Sequence, residues 1–355
     1  MTKLAIIGGG FYGCYIAKKL KDKFKSKIEI HIFEKNKHLI TEAGRNNQYK
    51  LHLGYHYPRS LHTIKQTING SKKFKKEFNK FIFYPKKNIY LIHKKSHVKA
   101  NKFYRIFKKL KLKISIFDIK KLDFLKNYND FEKAFKTEEG VIRFHELNNY
   151  LIKKVELSCD VYKNRNIKKI NSVKGFVIDS KNRVYSNYDY IINCSYTNPN
   201  MGIKKKFSLK YELAGMVKIK NPFKENIGIT IMDGKFVTLY PRDDYFSSLS
   251  SVTHTPIKRF KNLKNLYKFQ NKFNLKKNNR IELITKDIRK YFNKRLQIKN
   301  PLLITAPKTK ICNDTKDQRP SLIKKYKKTI SILAGKIDVA PIIFEKLLKE
   351  IKLKI

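Results

Sequence analysis

The run Gly8-Gly9-Gly10-Phe11-Tyr12-Gly13 fits the pattern G-x-G-x-x-G, and an acidic residue, Glu34, stands 21 positions after its last glycine. Together they suit a dinucleotide. Gly8 permits a tight turn, Gly10 lets bare backbone approach a pyrophosphate, and Gly13 lets helix and strand pack closely. Free N–H groups and a partial positive charge at the helix tip, with Phe11 and Tyr12 opening it, suit phosphate oxygens. Glu34 can accept hydrogen bonds from both ribose hydroxyls of an adenosine, and its charge disfavours a 2′-phosphate.

The pattern means little without the elements that must carry it. Apolar residues 4–7 read as a short strand ended by the glycines. Ile16, Ala17, Leu20 and Phe24 then recur at near-helical spacing, and residues 27–33 alternate as a strand does, closing at Glu34. This is one β–turn–α–β unit in about 30 residues. Further along, the periodicity predicts helices over 60–79, 96–110, 145–157, 260–272, 286–294 and 339–351, with Pro341 helping to start the last. Strands are expected at 88–93, 160–163, 166–171, 174–179, 188–194 and 329–333, and over most of 208–254. Helices and strands interleave, so the expected class is α/β with an α+β second domain, each domain built from separate segments. Segments 1–80, 138–205 and 305–355 are assigned to a Rossmann-type nucleotide domain with a central parallel sheet. Segments 81–137 and 206–304 are assigned to a mostly antiparallel substrate domain.

The stretch Ala43-Gly44-Arg45-Asn46-Asn47, followed by Leu51-His52-Leu53-Gly54-Tyr55-His56-Tyr57, resembles the flavin-facing segment of the glycine/D-amino-acid oxidase-like family of FAD-dependent oxidoreductases. Asn47, His52, Gly54 and Tyr57 keep the family spacing. Asn166-Ile167, residues 190–195, Asp317-Gln318-Arg319-Pro320 and Ala334-Gly335-Lys336-Ile337-Asp338 resemble its later segments in the same order. One departure concerns Asn193-Cys194-Ser195-Tyr196, which has no glycine where the family has one. The resemblance implies FAD as cofactor. It implies contacts from Gly8, Gly10, Phe11, Tyr12, Gly13, Glu34, Lys35, Arg45, Asn46, Asn47, His52, Gly54, Ile167, Cys194, Arg319, Gly335, Lys336, Ile337 and Asp338.

It also implies chemistry: a hydride leaves a small polar, anionic amine or alcohol for the flavin, and the protein orients the substrate and stabilises charge on the reduced ring. His52 could accept a proton near neutral pH, attach the flavin covalently, or serve as a hydrogen-bonded structural residue. Lys336 could stabilise the reduced ring or be one more surface lysine. Arg242 is the candidate partner for a substrate carboxylate, with Tyr240 as a hydroxyl donor; the alternative for Arg242 is a rim residue paired with Asp243 or Asp244. His254 could line the same cavity or be structural.

The net charge of +53 invites a nucleic-acid reading. Against it, 12 of the 81 basic residues are arginine and 69 are lysine, whereas phosphate-gripping surfaces favour the arginine fork. Lysine, Asn, Ile, Phe and Tyr are all abundant and share A/T-rich codons, so no specific nucleic acid is expected, though weak attraction to an anionic membrane surface stays open. The four cysteines lie far apart with no metal-ligand spacing, and no metal is expected. With no spanning apolar run and no leader pattern, the expected compartment is the cytoplasm. Two other functions remain: a flavin-dependent isomerase or mutase acting on a sugar, and a basic protein binding RNA or anionic lipid on a flavoprotein scaffold.

Overall fold

The computed structural model describes residues 1–275, 277–312 and 320–352. The strand Thr2–Ile7 lies near the middle of a six-stranded sheet, flanked in parallel by Ile28–Phe33 and Tyr190–Asn193. Strands Asp160–Tyr162 and Thr329–Leu333 extend it in parallel, and Leu322–Tyr326 closes one edge antiparallel. Because alternate residues of a strand face opposite ways, Leu4 and Ile6 enter one core while Ala5 and Ile7 enter another. Helices Phe11–Phe24, Phe144–Glu156 and Ala340–Glu350 cover the first face. The small antiparallel sheet of Ile167–Asn171, Phe176–Asp179 and Val184–Tyr185 covers the second.

The other large layer is a nine-stranded sheet built around the long strand Leu209–Lys220. It runs through Phe246–Ser251, Val237–Pro241, Ile227–Met232, Lys87–His93 and Phe131–Thr137 to Ile114–Phe117. It is antiparallel except where Ile227–Met232 runs parallel to Lys87–His93. Residues 114–117 and 131–137, outside the elements expected from periodicity, are strands because the sheet beside them overrides their polar composition. The boundary placed at 305 also moves. Leu302–Ile311 pairs with Leu209–Lys220 over ten residues and belongs to this sheet. Pro307 hid that strand, and prolines are tolerated on an edge strand such as this one. The helix expected at 286–294 is Arg280–Tyr291, six residues earlier at its start.

A third, small sheet joins the two layers and governs the site. Lys50–Leu51 and Ile82–Phe83 both pair antiparallel with Gly140–Ile142. Lys50 lies opposite Val141 and Leu51 opposite Gly140. One further step in that register sets His52 opposite Glu139. No helix among the described residues is long and apolar enough to cross a membrane.

Candidate active site

One cavity of about 790 Å³ runs along the carboxyl ends of the parallel strands and on between the two large sheets. Such a crevice is where open α/β sheets bind ligands. Its volume falls in the range of cofactor sites.

At one end lies the glycine turn. Gly8 holds φ at +101°, and a Cβ on Gly13 would sit 2.0 Å from the Gly8 carbonyl oxygen, so the helix Phe11–Phe24 can cross the strand only over a bare Cα. Gly10 differs: a Cβ there would meet nothing within 4 Å and would project into open space at the helix tip. That tip has no side-chain cap and no acidic residue in its first turn. Glu34 is buried, its Oε2 accepting the Gly9 N–H at 2.8 Å and its Oε1 the Asn36 N–H at 2.9 Å. Burial raises its pKa, against the pull of those two amides. Both oxygens keep a lone pair for a further donor.

Beyond Glu34 the cavity is lined by Lys35, Arg165, Asn166, Ile167 and, from the second layer, Tyr267. The Tyr267 hydroxyl meets Thr197 Oγ1 at 2.6 Å, and the Lys35 ammonium lies 4.8 Å from the Tyr267 ring. Sequence reading missed Tyr267, because nothing local marks one aromatic on the helix Leu263–Lys272 as a wall of a distant crevice. The glycine-free turn after Tyr190–Asn193 is knit by Asn193, whose amide donates to the Asn198 and Met201 carbonyls while its Oδ1 accepts from Ser195. Tyr196 takes the positive φ of +54°. Cys194 lines the cavity there.

At the other end Asn46, Asn47, His52, His56, Tyr57 and the segment Gly335-Lys336-Ile337-Asp338 converge on the cavity. Asn47 shapes its own loop, its Nδ2 donating to the Ala43 carbonyl at 3.1 Å and its Oδ1 accepting from the Tyr49 N–H at 2.8 Å. Lys336 reaches Thr67 Oγ1 at 2.6 Å and lies 3.8 Å from the Tyr57 ring. Asp338 is buried, its pKa raised by that burial, and its Oδ1 has no hydrogen-bond partner. A buried acceptor without a donor, set in a cavity wall, can take a hydrogen bond from a group lying in that cavity. A bare glycine cradle, an uncapped helix tip, an oriented carboxylate and this orphaned oxygen, strung along one crevice, fit the pyrophosphate, ribose and ribityl groups of FAD.

Four residues stand elsewhere than the sequence suggested, and His254 takes its structural alternative. Tyr240 is fully buried, its hydroxyl donating to the Glu139 and Gly140 carbonyls at 3.1 and 3.2 Å, so it offers no donor to a substrate. Arg242 is buried as well. Its guanidinium stacks 3.8 Å from the Tyr49 ring and donates to the carbonyls of Asn47 and Arg45. It therefore fastens the 45–49 loop and pairs with neither Asp243 nor Asp244. Arg45 adds its carbonyl oxygen to that clamp and does not line the cavity. Gly54, at φ +99°, faces Ile64 of the helix Leu61–Phe78, and His254 faces Asp287, 3.5 Å away. Arg319 lies outside the described residues. Arg242→Lys is thus expected to lower the melting temperature and FAD retention together, with little change in KM for substrate; thermal melts and steady-state kinetics check this.

Two residues that sequence reading left without a role form the wall behind His52. Glu139 is fully buried, with Lys50 Nζ at 2.8 Å, the Tyr90 hydroxyl donating at 2.6 Å and the Leu53 N–H at 2.9 Å. Lys50 also donates to Thr230 Oγ1 at 3.2 Å and lies 4.4 Å from the Tyr240 ring. Burial opposes ionisation of Glu139, yet Lys50 and His52 outweigh it and hold the carboxyl well below the usual range. Lys50 was one lysine among 69, with no spacing to single it out.

Comparison with known proteins agrees with this architecture. Residues 6–78 match the family model of an NAD(P)-binding Rossmann-like domain. The FAD-dependent monooxygenase FPY4 of Fusarium mangiferae is 24% identical over 263 residues, 73% of this chain and 66% of that protein, just under two thirds of its length. Among solved structures, FAD-bound L-alpha-glycerophosphate oxidase from Mycoplasma pneumoniae superposes with a TM-score of 0.72 at 17% identity, covering 99% of this chain and 96% of the other. Glycine oxidase from Bacillus cereus does so with a TM-score of 0.71 at 12% identity, covering 99% and 96%. The fold is that of the glycine/D-amino-acid oxidase-like oxidoreductases.

Proposed function

We propose that this chain, folded as glycine/D-amino-acid oxidase-like oxidoreductases are, is an FAD-dependent oxidoreductase acting on a small polar amine or alcohol. The observation that carries this reading is the continuity of one cavity. It starts at the glycine turn and Glu34, passes Asp338 and His52, and ends against the second sheet at Thr238 and Ser250, with Gln48 and Phe236 beside them. A dinucleotide laid along it brings its far end to a chamber large enough for a small molecule.

Bound FAD supplies the ring that takes a hydride from a carbon bearing a hydroxyl or amine. The chain supplies the rest. The helix tip at Phe11 and Tyr12 would hold the pyrophosphate, and Glu34 would accept from the ribose. Asp338 would accept from a hydroxyl of the cofactor, and Lys336 with the N–H groups after Gly335 would stabilise charge developing on the ring. His52 takes the substrate's proton. Arg242 is not free to meet a substrate carboxylate, its guanidinium being bonded to carbonyls, and Gln48, Thr238 and Ser250 bring amide and hydroxyl groups to the chamber, which favour a polar substrate.

Purified protein is expected to be yellow, to release FAD on denaturation, and to bleach anaerobically with its substrate. A folded, colourless protein that takes up no FAD overturns the reading. Glu34→Gln removes a charged acceptor, and hydrogen bonds to charged groups contribute about 1.5–3 kcal/mol. FAD affinity is therefore expected to fall about tenfold to a hundredfold, as a fluorescence titration of the apoprotein would read.

A further inference from the structure

We propose that Glu139, neutralised by Lys50, is a positioning residue that holds His52 as the Nδ1–H tautomer and so leaves Nε2 as the proton acceptor facing the cavity. The small sheet sets the geometry. Its register, carried one residue beyond the paired positions, brings Glu139 beside His52, and Glu139 Oε1 lies 3.8 Å from His52 Nδ1. That Nδ1 is buried and has no hydrogen-bond partner. Closing the gap by less than 1 Å makes Glu139 its acceptor, and an ionised carboxylate can only accept. The proton must then sit on Nδ1. Backbone fixes the rest, since the Leu53 N–H donates to the same Oε1 and Ser71 Oγ donates to the His52 carbonyl.

The charges around the ring give Lys50 its part. His52 is faced by Glu139 and Lys50 behind it, by Lys336 and Asp338 of the segment opening the last helix, and by the His56 and Tyr57 rings at 6.0 and 5.9 Å. Glu139 alone would hold an imidazolium, and a ring already protonated accepts nothing. Lys50 cancels that charge. Burial then keeps the imidazole neutral, its pKa below the usual range. When the substrate's O–H or N–H bond breaks, its electron pair stays on oxygen or nitrogen and the proton goes to Nε2. The imidazolium so formed is held by Glu139. The role assigned to this base rests on the proposed flavin chemistry; the tautomer does not.

The test is nitrogen NMR of the full chain carrying ¹⁵N-labelled histidine, with the His52 signals assigned by their loss in His52→Gln. The expected result is an Nδ1–H, Nε2-bare ring at pH 7 in the unaltered protein, which needs no variant to read. Glu139→Gln leaves Lys50 uncancelled and should lower the His52 pKa by about one unit or more; Lys50→Met should raise it by a similar amount. Opposite signs show that both charges reach the ring, and the tautomer read in the unaltered protein and in the double variant separates positioning from mere proximity. Lys50→Met/Glu139→Met removes both charges together and should release the ring to a mixture of tautomers. An Nε2–H ring in the unaltered protein, or single variants that shift the pKa in the same direction or not at all, overturns the proposal. Absence of bound FAD would overturn the functional reading while leaving this measurement intact, so the two failures are told apart. In flavin-loaded protein, the acidic limb of kcat/KM should follow the same two shifts.

Discussion

Gly13→Ala is expected to abolish FAD binding and leave much of the chain unfolded, whereas Gly10→Ala should fold normally and lose affinity alone. A methyl at position 13 lands 2.0 Å from the Gly8 carbonyl oxygen, a backbone atom that cannot swing aside. Relief requires the helix Phe11–Phe24 to lift from the strand Thr2–Ile7, and that helix carries Cys14, Tyr15, Ile16, Ala17 and Leu20 into the main core. Overpacking of a tight core costs about 1–3 kcal/mol, and more where backbone is the obstacle. Position 10 has no neighbour within 4 Å. Its methyl would occupy space meant for a diphosphate, and the loss should be of ligand, about a hundredfold or more if two phosphate contacts go. Thermal melts of the apoproteins with FAD titrations of each separate the two. Equal loss of stability in both variants would show that the space beside Gly10 is not a ligand site.

The second large effect concerns the buried ion pair. Lys50→Met alone leaves Glu139 in a site with no exposed surface, and Glu139→Gln alone leaves the Lys50 ammonium there. Removing one partner of a buried pair costs about 3–5 kcal/mol, while replacing both with apolar residues of similar volume is often neutral. Chemical denaturation should therefore show both single variants well below the parent and Lys50→Met/Glu139→Met close to it. The remaining partners decide how close. Tyr90 and Leu53 lose an acceptor in the double variant, and Thr230 loses a donor. Additive losses in the double variant would mean that the pair's coupling is negligible.

The nucleotide end of the cavity was legible in the chain because its requirements are local. A turn, a bare Cα at a crossing and an acid at the end of the next strand follow one another within residues 8–34, and each is imposed by neighbours in sequence. The same holds for the 335–338 turn, since a glycine turn opening a helix is a short-range pattern. Arg242 and Tyr240 show where such reading stops. Their strand was found, but which face each side chain takes depends on what packs against it, and both point into the 45–49 loop and the 139–140 backbone.

Glu139 and Lys50 carry no local mark at all. They stand 89 positions apart and meet because two very short strands pair in a particular register, a contact that composition cannot signal in a chain of 69 lysines. Periodicity and turn chemistry specify an element and its exposed side, since they act over a few residues. Which buried charge finds which partner is settled by sheet register and by desolvation, and both arise only once distant segments have closed around them.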